Sequence, residues 1–420
     1  MLQATERPAM RSTLDRWLAV IGAARVLLYG NFMVYAACIP VVRVEWEISA
    51  AAAGSISSGF MLGYAASLVI FSWLADRLGA RRMVLWSAWF SAAAALAFGL
   101  FASSYWSALL LYTLAALGQG GTYTPIIMLL ADRYEADRRG AAVGWLIGST
   151  SVGYAFSLVL SGAALAWGGY RAAFLVTGAM PLLGAVLLSL ALRDTENRIH
   201  PRPAGLRFRA LLTPRSNAFR LVAGYTAHCW ELLGMWAWVP AFLAASASLS
   251  GAAPAAAAGF GAYLSAAMHM VGAVAASTMG GLSDHLGRRT VLLMLAATSA
   301  GLSLAIGWLI VWPLYLLLPL ALLYSFTTIG DSPVLSVALT EAVEPGYLGA
   351  VLALRSMLGF GAGAISPLVF GAVLDLANPG SVSPTVWGWS FMVLGLGGMI
   401  AAGYAWSIRS APGRLDPTAD

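Results

Sequence analysis

Lysine is absent from these 420 residues, and 18 acidic residues stand against 24 arginines. Charged residues make up 10% of the chain, where a soluble domain carries about 25%. So few charges cannot clothe a water-facing surface of this size, which excludes an ordinary soluble enzyme. Cysteine occurs twice, at Cys38 and Cys229, each inside an apolar run. That leaves neither a disulfide framework nor a cysteine metal site. The four histidines are scattered and form no HExxH or His-rich set, and no GxxxxGK[ST] phosphate loop occurs. No catalytic residue, metal or cofactor is expected, and a nucleotide-driven pump is excluded.

What is abundant is apolar. Hydrophobic residues reach 60%, and mean hydropathy is +0.78. At about 20 residues per crossing, the length allows roughly a dozen spans. Twelve runs can be marked: 17–40, 51–74, 83–101, 106–131, 140–166 and 172–192, then 219–245, 258–281, 291–311, 313–339, 349–372 and 387–408. In hydrocarbon each must satisfy its own backbone, which makes them helices. The fold expected is all-α and polytopic, with the lipid bilayer as partner. It comprises one six-helix half (1–192), a basic linker (193–218), a second six-helix half (219–408) and a short tail (409–420). The polar N-terminus lacks a short apolar region with a cleavage site and is expected to remain uncleaved.

The arginines set the sidedness. With the N-terminus inside, twenty of the 24 fall in inner segments, only Arg43 and Arg171 in outer loops, and Arg25 and Arg355 within spans. This positive-inside bias predicts cytoplasmic termini in a cell (inner) membrane. It also accounts for the +6 net charge without nucleic acid. Trp46, Trp106, Trp167, Trp312 and Trp387 are expected in an outer aromatic belt, and Trp17, Trp73, Trp86 and Trp406 in an inner one.

The chain repeats itself. Ser72-Trp73-Leu74-Ala75-Asp76-Arg77-Leu78-Gly79-Ala80-Arg81-Arg82 returns as Gly280-Gly281-Leu282-Ser283-Asp284-His285-Leu286-Gly287-Arg288-Arg289. Asp76 to Asp284 is 208 positions, Pro125 to Pro333 is 208, and Gly140 to Gly349 is 209. Three anchors at offsets within one residue of each other indicate duplicated halves, the usual build of a secondary transporter.

With these corners in view, the whole chain resembles the major facilitator superfamily. Its loop motif GxxxDRxGRR matches around Asp76, Arg77, Gly79, Arg81 and Arg82, with Ser72 for the first glycine. The echo covers Asp284, Gly287, Arg288 and Arg289. Trp230-Glu231 in span seven and a glycine-rich span eleven resemble nitrate-porter-like or general bacterial permeases. Leu68 and Ala276 nonetheless stand where nitrate porters have arginines. Span five has no Gly-Pro pair, and Ala116 replaces the arginine that many members place before Gln119-Gly120. The resemblance implies a multi-pass secondary transporter working by alternating access, as a monomer. It implies that Asp76 faces the start of span eleven near Gly349 and Arg355, and that Asp284 faces span five near Gly140.

Polar residues inside spans each need a reason, since a central charge costs about 2.5–3.5 kcal/mol. Glu231 lies about 12 residues, roughly 18 Å, into span seven, with His228 one turn before it. Together they are read as a protonatable pair coupling transport to protons; the bland reading is a structural ion pair. Arg25 either binds an anionic substrate or snorkels to the interface. Arg355 pairs with Asp76 or with Asp331. Asn31, Gln119 and Tyr123 complete the candidates. The spans concerned, one, four, seven and ten, are those that line the family's central cavity. His269 is expected to make a lone polar contact, and the Gly359–Gly363 run to allow close helix packing. The function expected is proton-coupled symport of a small ionisable organic solute, with efflux of hydrophobic compounds as the alternative. A membrane sensor on the same fold would need an output domain that the chain lacks.

Overall fold

The computed structural model describes residues 15–199, 216–343, 345–381 and 383–408. The expected N-terminal segment, most of the basic linker and the tail lie outside the described residues. Everything described is helix or connection, with no strand among the described residues. Thirteen helices follow in order. They are α1 (Arg16–Leu28), α2 (Val34–Glu45), α3 (Ala50–Leu78), α4 (Ala80–Phe101), α5 (Tyr105–Gln119), α6 (Thr124–Arg133) and α7 (Ala136–Ala191). The second half holds α8 (Asn217–Leu249), α9 (Pro254–Leu286), α10 (Arg288–Ile306), α11 (Leu314–Ala342), α12 (Pro345–Ala377) and α13 (Gly388–Ser407).

Among the described residues, eleven stretches are long and apolar enough to cross a membrane. One of them, Arg138–Ala191, is 54 residues long and would reach about 80 Å as a straight helix. It breaks at Gly169, whose φ of 65° only glycine adopts freely, so it supplies spans five and six. The twelve expected crossings are therefore present, with two corrections to their form. Span one is split into α1 and α2 by a 3₁₀ turn at Tyr29–Asn31, and span four into α5 and α6 by a turn at Gly120–Thr122.

Outward faces are apolar, with Trp106, Trp167 and Trp406 at 73%, 75% and 66% exposed. Trp387 departs from its expected place in the belt. It is buried against Trp238, Phe242 and Phe370 in the second half's core.

The halves meet along two antiparallel seams, α3 on α12 and α7 on α9. Small residues let the backbones close. A Cβ on Gly54 would strike the Pro367 carbonyl, one on Gly371 the Ala50 carbonyl, and one on Gly162 the ring of Tyr263. Within the second half, Gly359 and Gly363 seat α12 on α8 against Tyr225, Cys229 and Leu233, as expected of that run.

Both motif corners lie at one end of the bundle. The C-terminal end of α12 meets the N-terminus of α3, so the start of α12, just beyond Ala342, lies at the Asp76 end. Gly79 and Gly287 turn these corners with φ of 90° and 86°. The corners are clamped differently. Asn197 donates to the Leu78 carbonyl and accepts from the Arg82 amide, while Arg81 donates to the carbonyls of Leu192 and Arg193. Arg77 stacks on Trp73. At the other corner Arg288 bridges Asp284 to Glu341 of α11, and Arg289 is exposed.

The opposite end is shut. Asp375, near the end of α12, accepts hydrogen bonds from the backbone amides of Ala50 and Ala51, both at 2.8 Å. It thus caps the N-terminus of α3 from across the seam, where partial positive charge collects. Arg43 Nη2 lies 4.0 Å from the same carboxylate, and Ser58 Oγ accepts from the Leu368 amide. At the motif end the α7–α9 seam is open. The Asp284 side chain is 58% exposed, and Cβ atoms on Gly140, Gly144, Gly280 and Gly281 would meet nothing within 4 Å. The expected Asp284–Gly140 contact is therefore not made in this state. The corresponding contact of Asp76 near Gly349 falls where side chains lie outside the described residues.

Removing a helix N-cap costs about 1 kcal/mol, an approximately fivefold shift in a two-state balance. Asp375→Ala is therefore expected to loosen the closed end. A single cysteine at Ser58, in a background lacking Cys38 and Cys229, should be alkylated about fivefold faster in the variant. An unchanged rate would show that the cap does not hold the seam.

Candidate functional site

The breaks in spans one and four arise at Gly30-Asn31 and Gly120-Gly121, and each leaves backbone carbonyls without helical partners. The two breaks satisfy each other. Gln119 Nε2, at the end of α5, donates to the Leu28 carbonyl at the end of α1, at 2.9 Å. Tyr112 Oη donates to the Phe32 carbonyl at 2.6 Å. Arg25 donates from Nη1 to the Thr122 carbonyl inside the second break.

Arg25 is completely buried. Besides Thr122 it donates to Thr150 Oγ1 at 2.6 Å, Ser149 Oγ at 3.3 Å and Tyr29 Oη at 3.4 Å. The rings of Tyr29 and Tyr123 lie 4.9 and 5.6 Å from its guanidinium carbon. It does not snorkel, which removes one of its two expected roles. Every partner it has is neutral, so its charge is solvated but not balanced. Asn31 is buried with both amide atoms unpartnered, and Gln119 Oε1 likewise lacks a partner.

Arg355 comes from the other half. Its guanidinium stacks 3.7 Å from the Tyr225 ring, and Nη1 donates to Ser336 Oγ at 2.9 Å. Among the described residues it bridges neither Asp76 nor Asp331, so both expected pairings are set aside. The half-buried Tyr123 lies within electrostatic reach of Arg25 and Arg355 alike. Two buried arginines, one from each half, thus share one tyrosine and have no carboxylate partner among the described residues.

The second cluster sits between α8 and α11. His228 Nδ1 lies 2.9 Å from Asp331 Oδ1, in ion-pair contact but out of line for a linear hydrogen bond, and Nε2 is 2.9 Å from Ser332 Oγ. The expected His228–Glu231 pair is therefore corrected: the imidazole turns to α11. Glu231, 2% exposed, faces the interior of its own bundle beside the Ser299 and Tyr324 hydroxyls and against Gly398, with Oε1 unpartnered. Asp331 remains close enough to act on it electrostatically. Asp331 also lines a small cavity shared with Arg220 and Ile408.

The sequence reading missed Tyr29, Ser149 and Thr150 as arginine partners, and Asp375 as a cap. The Ser149-Thr150-Ser151 run, polar inside a span, was the available signal.

The profile described as Major Facilitator Superfamily matches residues 21–277. The "Probable 4-methylmuconolactone transporter" of Cupriavidus pinatubonensis is 26% identical over 384 residues, covering 83% of this chain and 82% of that protein. The "Probable sulfoacetate transporter" of Cupriavidus necator is 24% identical over 363 residues, covering 80% and 81%. Among solved structures, a bacterial homolog of the human lysosomal transporter Spinster, inward-facing and unoccupied, superposes with TM-score 0.73. It has 18% identity and covers 94% of this chain and 97% of that one.

Leaving a buried polar group without its partner costs about 1–3 kcal/mol. A double-mutant cycle on thermal unfolding in detergent should therefore give a large coupling between His228→Gln and Asp331→Asn. The coupling between His228→Gln and Glu231→Gln should be small. The reverse ranking would restore the His228–Glu231 pair.

Proposed function

The chain belongs to the major facilitator superfamily, and on that premise we propose that it carries a small organic anion across the cell (inner) membrane by proton-coupled alternating access. It is a multi-pass membrane transporter and not an enzyme. The observation that carries the anion is Arg25, a sealed guanidinium whose partners are all neutral. A buried charge is tolerated when it is paired, and a carboxylate or sulfonate entering beside Tyr123 supplies the pair. Arg355 approaches the same tyrosine from the other half, so one anion would draw the halves together. Two relatives named for oxygen-rich organic acids support this reading.

Positive-inside placement of the arginines makes the motif end cytoplasmic. The open α7–α9 seam then belongs to an inward-open state. Proton coupling is assigned to Glu231 with the His228–Asp331 pair, three protonatable groups in one half, with the Asp331 cavity as their route to the cytoplasm. Protons and anion would occupy separate places, which suits symport: the proton neutralises a buried carboxylate while the substrate neutralises a buried arginine.

In proteoliposomes, Arg25→Gln should reduce uptake of organic anions at least about 100-fold, and Arg25→Lys should restore only part of it, since lysine cannot reproduce the forked donors. Glu231→Gln should retain anion counterflow yet lose accumulation driven by a pH gradient. Full gradient-driven accumulation in Glu231→Gln would remove that residue from coupling.

A further inference from the structure

Arg25 on α1 and Arg355 on α12 each lie roughly 15 Å from the motif-side start of their helix. At that depth the halves are not packed together as they are at the closed end. α2, beyond the break in span one, packs on α8 and α9 of the other half, whereas α1 packs on α7 and α4 of its own. α6, on the motif side of the break in span four, packs on α3, α4 and α7, and α11 packs on α8, α9 and α10. With the α7–α9 seam open at the same end, a cleft separates α1 and α6 on one bank from α11 on the other. Tyr123 and Thr124 on the first bank, and Ser332 and Ser336 on the second, are only half-buried, which is the surface such a cleft leaves.

Neither arginine is neutralised among the described residues. Arg25 spends its donors on Ser149, Thr150, Tyr29 and the Thr122 carbonyl. Arg355 is 7% exposed. It gives Nη1 to Ser336 and lays its face on Tyr225, and its Nε is a buried donor without an acceptor. Buried donors are nearly always satisfied, by protein, water or ligand. The acids of the same half are engaged elsewhere: Asp331 is in contact with His228, and Glu231 turns to Ser299 and Tyr324. Tyr123 lies 5.6 Å from the guanidinium carbon of Arg25 and within electrostatic reach of Arg355, so it marks where the two positive fields overlap.

We propose that the carried substrate bears two acid groups, one held by Arg25 and the other by Arg355, with the chain between them lying along Tyr123. Two fixed positive charges are then met by two negative ones, whereas a monoanion leaves one buried guanidinium uncompensated. The spare Nε of Arg355 gives the second acid group a forked partner, the geometry that suits a carboxylate or sulfonate. Because the arginines belong to different halves, an acid at each end lets one small molecule touch both. A site built this way also rejects analogues lacking the second acid, because its own charge is then left bare. This inference rests on the anion reading of Arg25 and adds the second acid group.

Calorimetric titration of the purified full chain at neutral pH with malonate, succinate, glutarate and adipate, each against the monoacid of equal chain length, separates the two. The best diacid should bind at least about tenfold more tightly than its monoacid, the factor for one added hydrogen bond between charged groups. Arg355→Gln should bring that diacid down to the level of its monoacid, and Arg355→Lys, which keeps the charge, should retain part of the preference. If Arg355 only braces Tyr225, its loss lowers diacid and monoacid by one factor; a ratio intact in Arg355→Gln would therefore overturn the two-acid proposal. Monoacids bound as tightly as diacids by the wild type would overturn it too and leave the anion site standing. Arg25→Gln should weaken both series; undiminished monoacid binding in that variant, or no binding of either series by the wild type, would overturn the anion site itself.

Discussion

A guanidinium sealed within a lipid-facing bundle cannot shed its charge, and the geometry of the first half follows from accommodating it. Arg25 is buried from solvent, and its acceptors come from protein. Arg25 finds two hydroxyls on α7, a tyrosine in the turn that follows its own helix and the Thr122 carbonyl. That carbonyl is available only because span four is interrupted at Gly120–Thr122. An unbroken helix would have spent it on its own backbone. The interruption of span one is matched in turn, its freed carbonyls taken by Gln119 and Tyr112. The two irregular turns and the buried charge are therefore one arrangement. Neutral dipoles make the burial tolerable without cancelling the charge, which leaves the site attractive to an anion.

A similar economy governs the seams. The N-terminus of α3 needs a partner at the closed end and finds the Asp375 carboxylate of α12. The family resemblance places the mirror contact at the far end of the same two helices, with Asp76 of α3 against the start of α12. Each helix then caps the other, at opposite ends.

Most of the fold was legible, because hydropathy, arginine placement and the 208-residue offset report on solvent and gene history at once. The charged turns are legible for a further reason: Gly79 and Gly287 occupy left-handed φ that other residues resist. The site was legible only as a roster. Arg25, Tyr123, Glu231 and Asp331 stand out because charge is expensive in a span, but rotation about a helix axis decides their company. His228 sits one turn from Glu231 in sequence and still turns to Asp331 on α11. The helix breaks escaped hydropathy because an interrupted span remains apolar. The Asp375 cap escaped because its partners are backbone amides, which carry no residue identity.

The duplication makes the division of labour explicit. Position 123 plus 208 is 331, so Tyr123 of the arginine site and Asp331 of the acid cluster occupy equivalent places in spans four and ten. The broken turn Gly120-Gly121-Thr122 corresponds to Thr328-Ile329-Gly330, which lies within the uninterrupted α11. There the second half keeps its helix, although Pro333 lacks the N–H that would bond the Ile329 carbonyl. Besides Arg355, its buried charges between α8 and α11 are acid and imidazole side chains, which can gain and lose protons. One ancestral half thus supports two chemistries: a fixed positive charge where the helix opens, and a titratable cluster where it stays closed. On the proposed reading, in which an anion and a proton bind in one cycle, separating the two keeps the arginine from becoming a permanent partner of the acids.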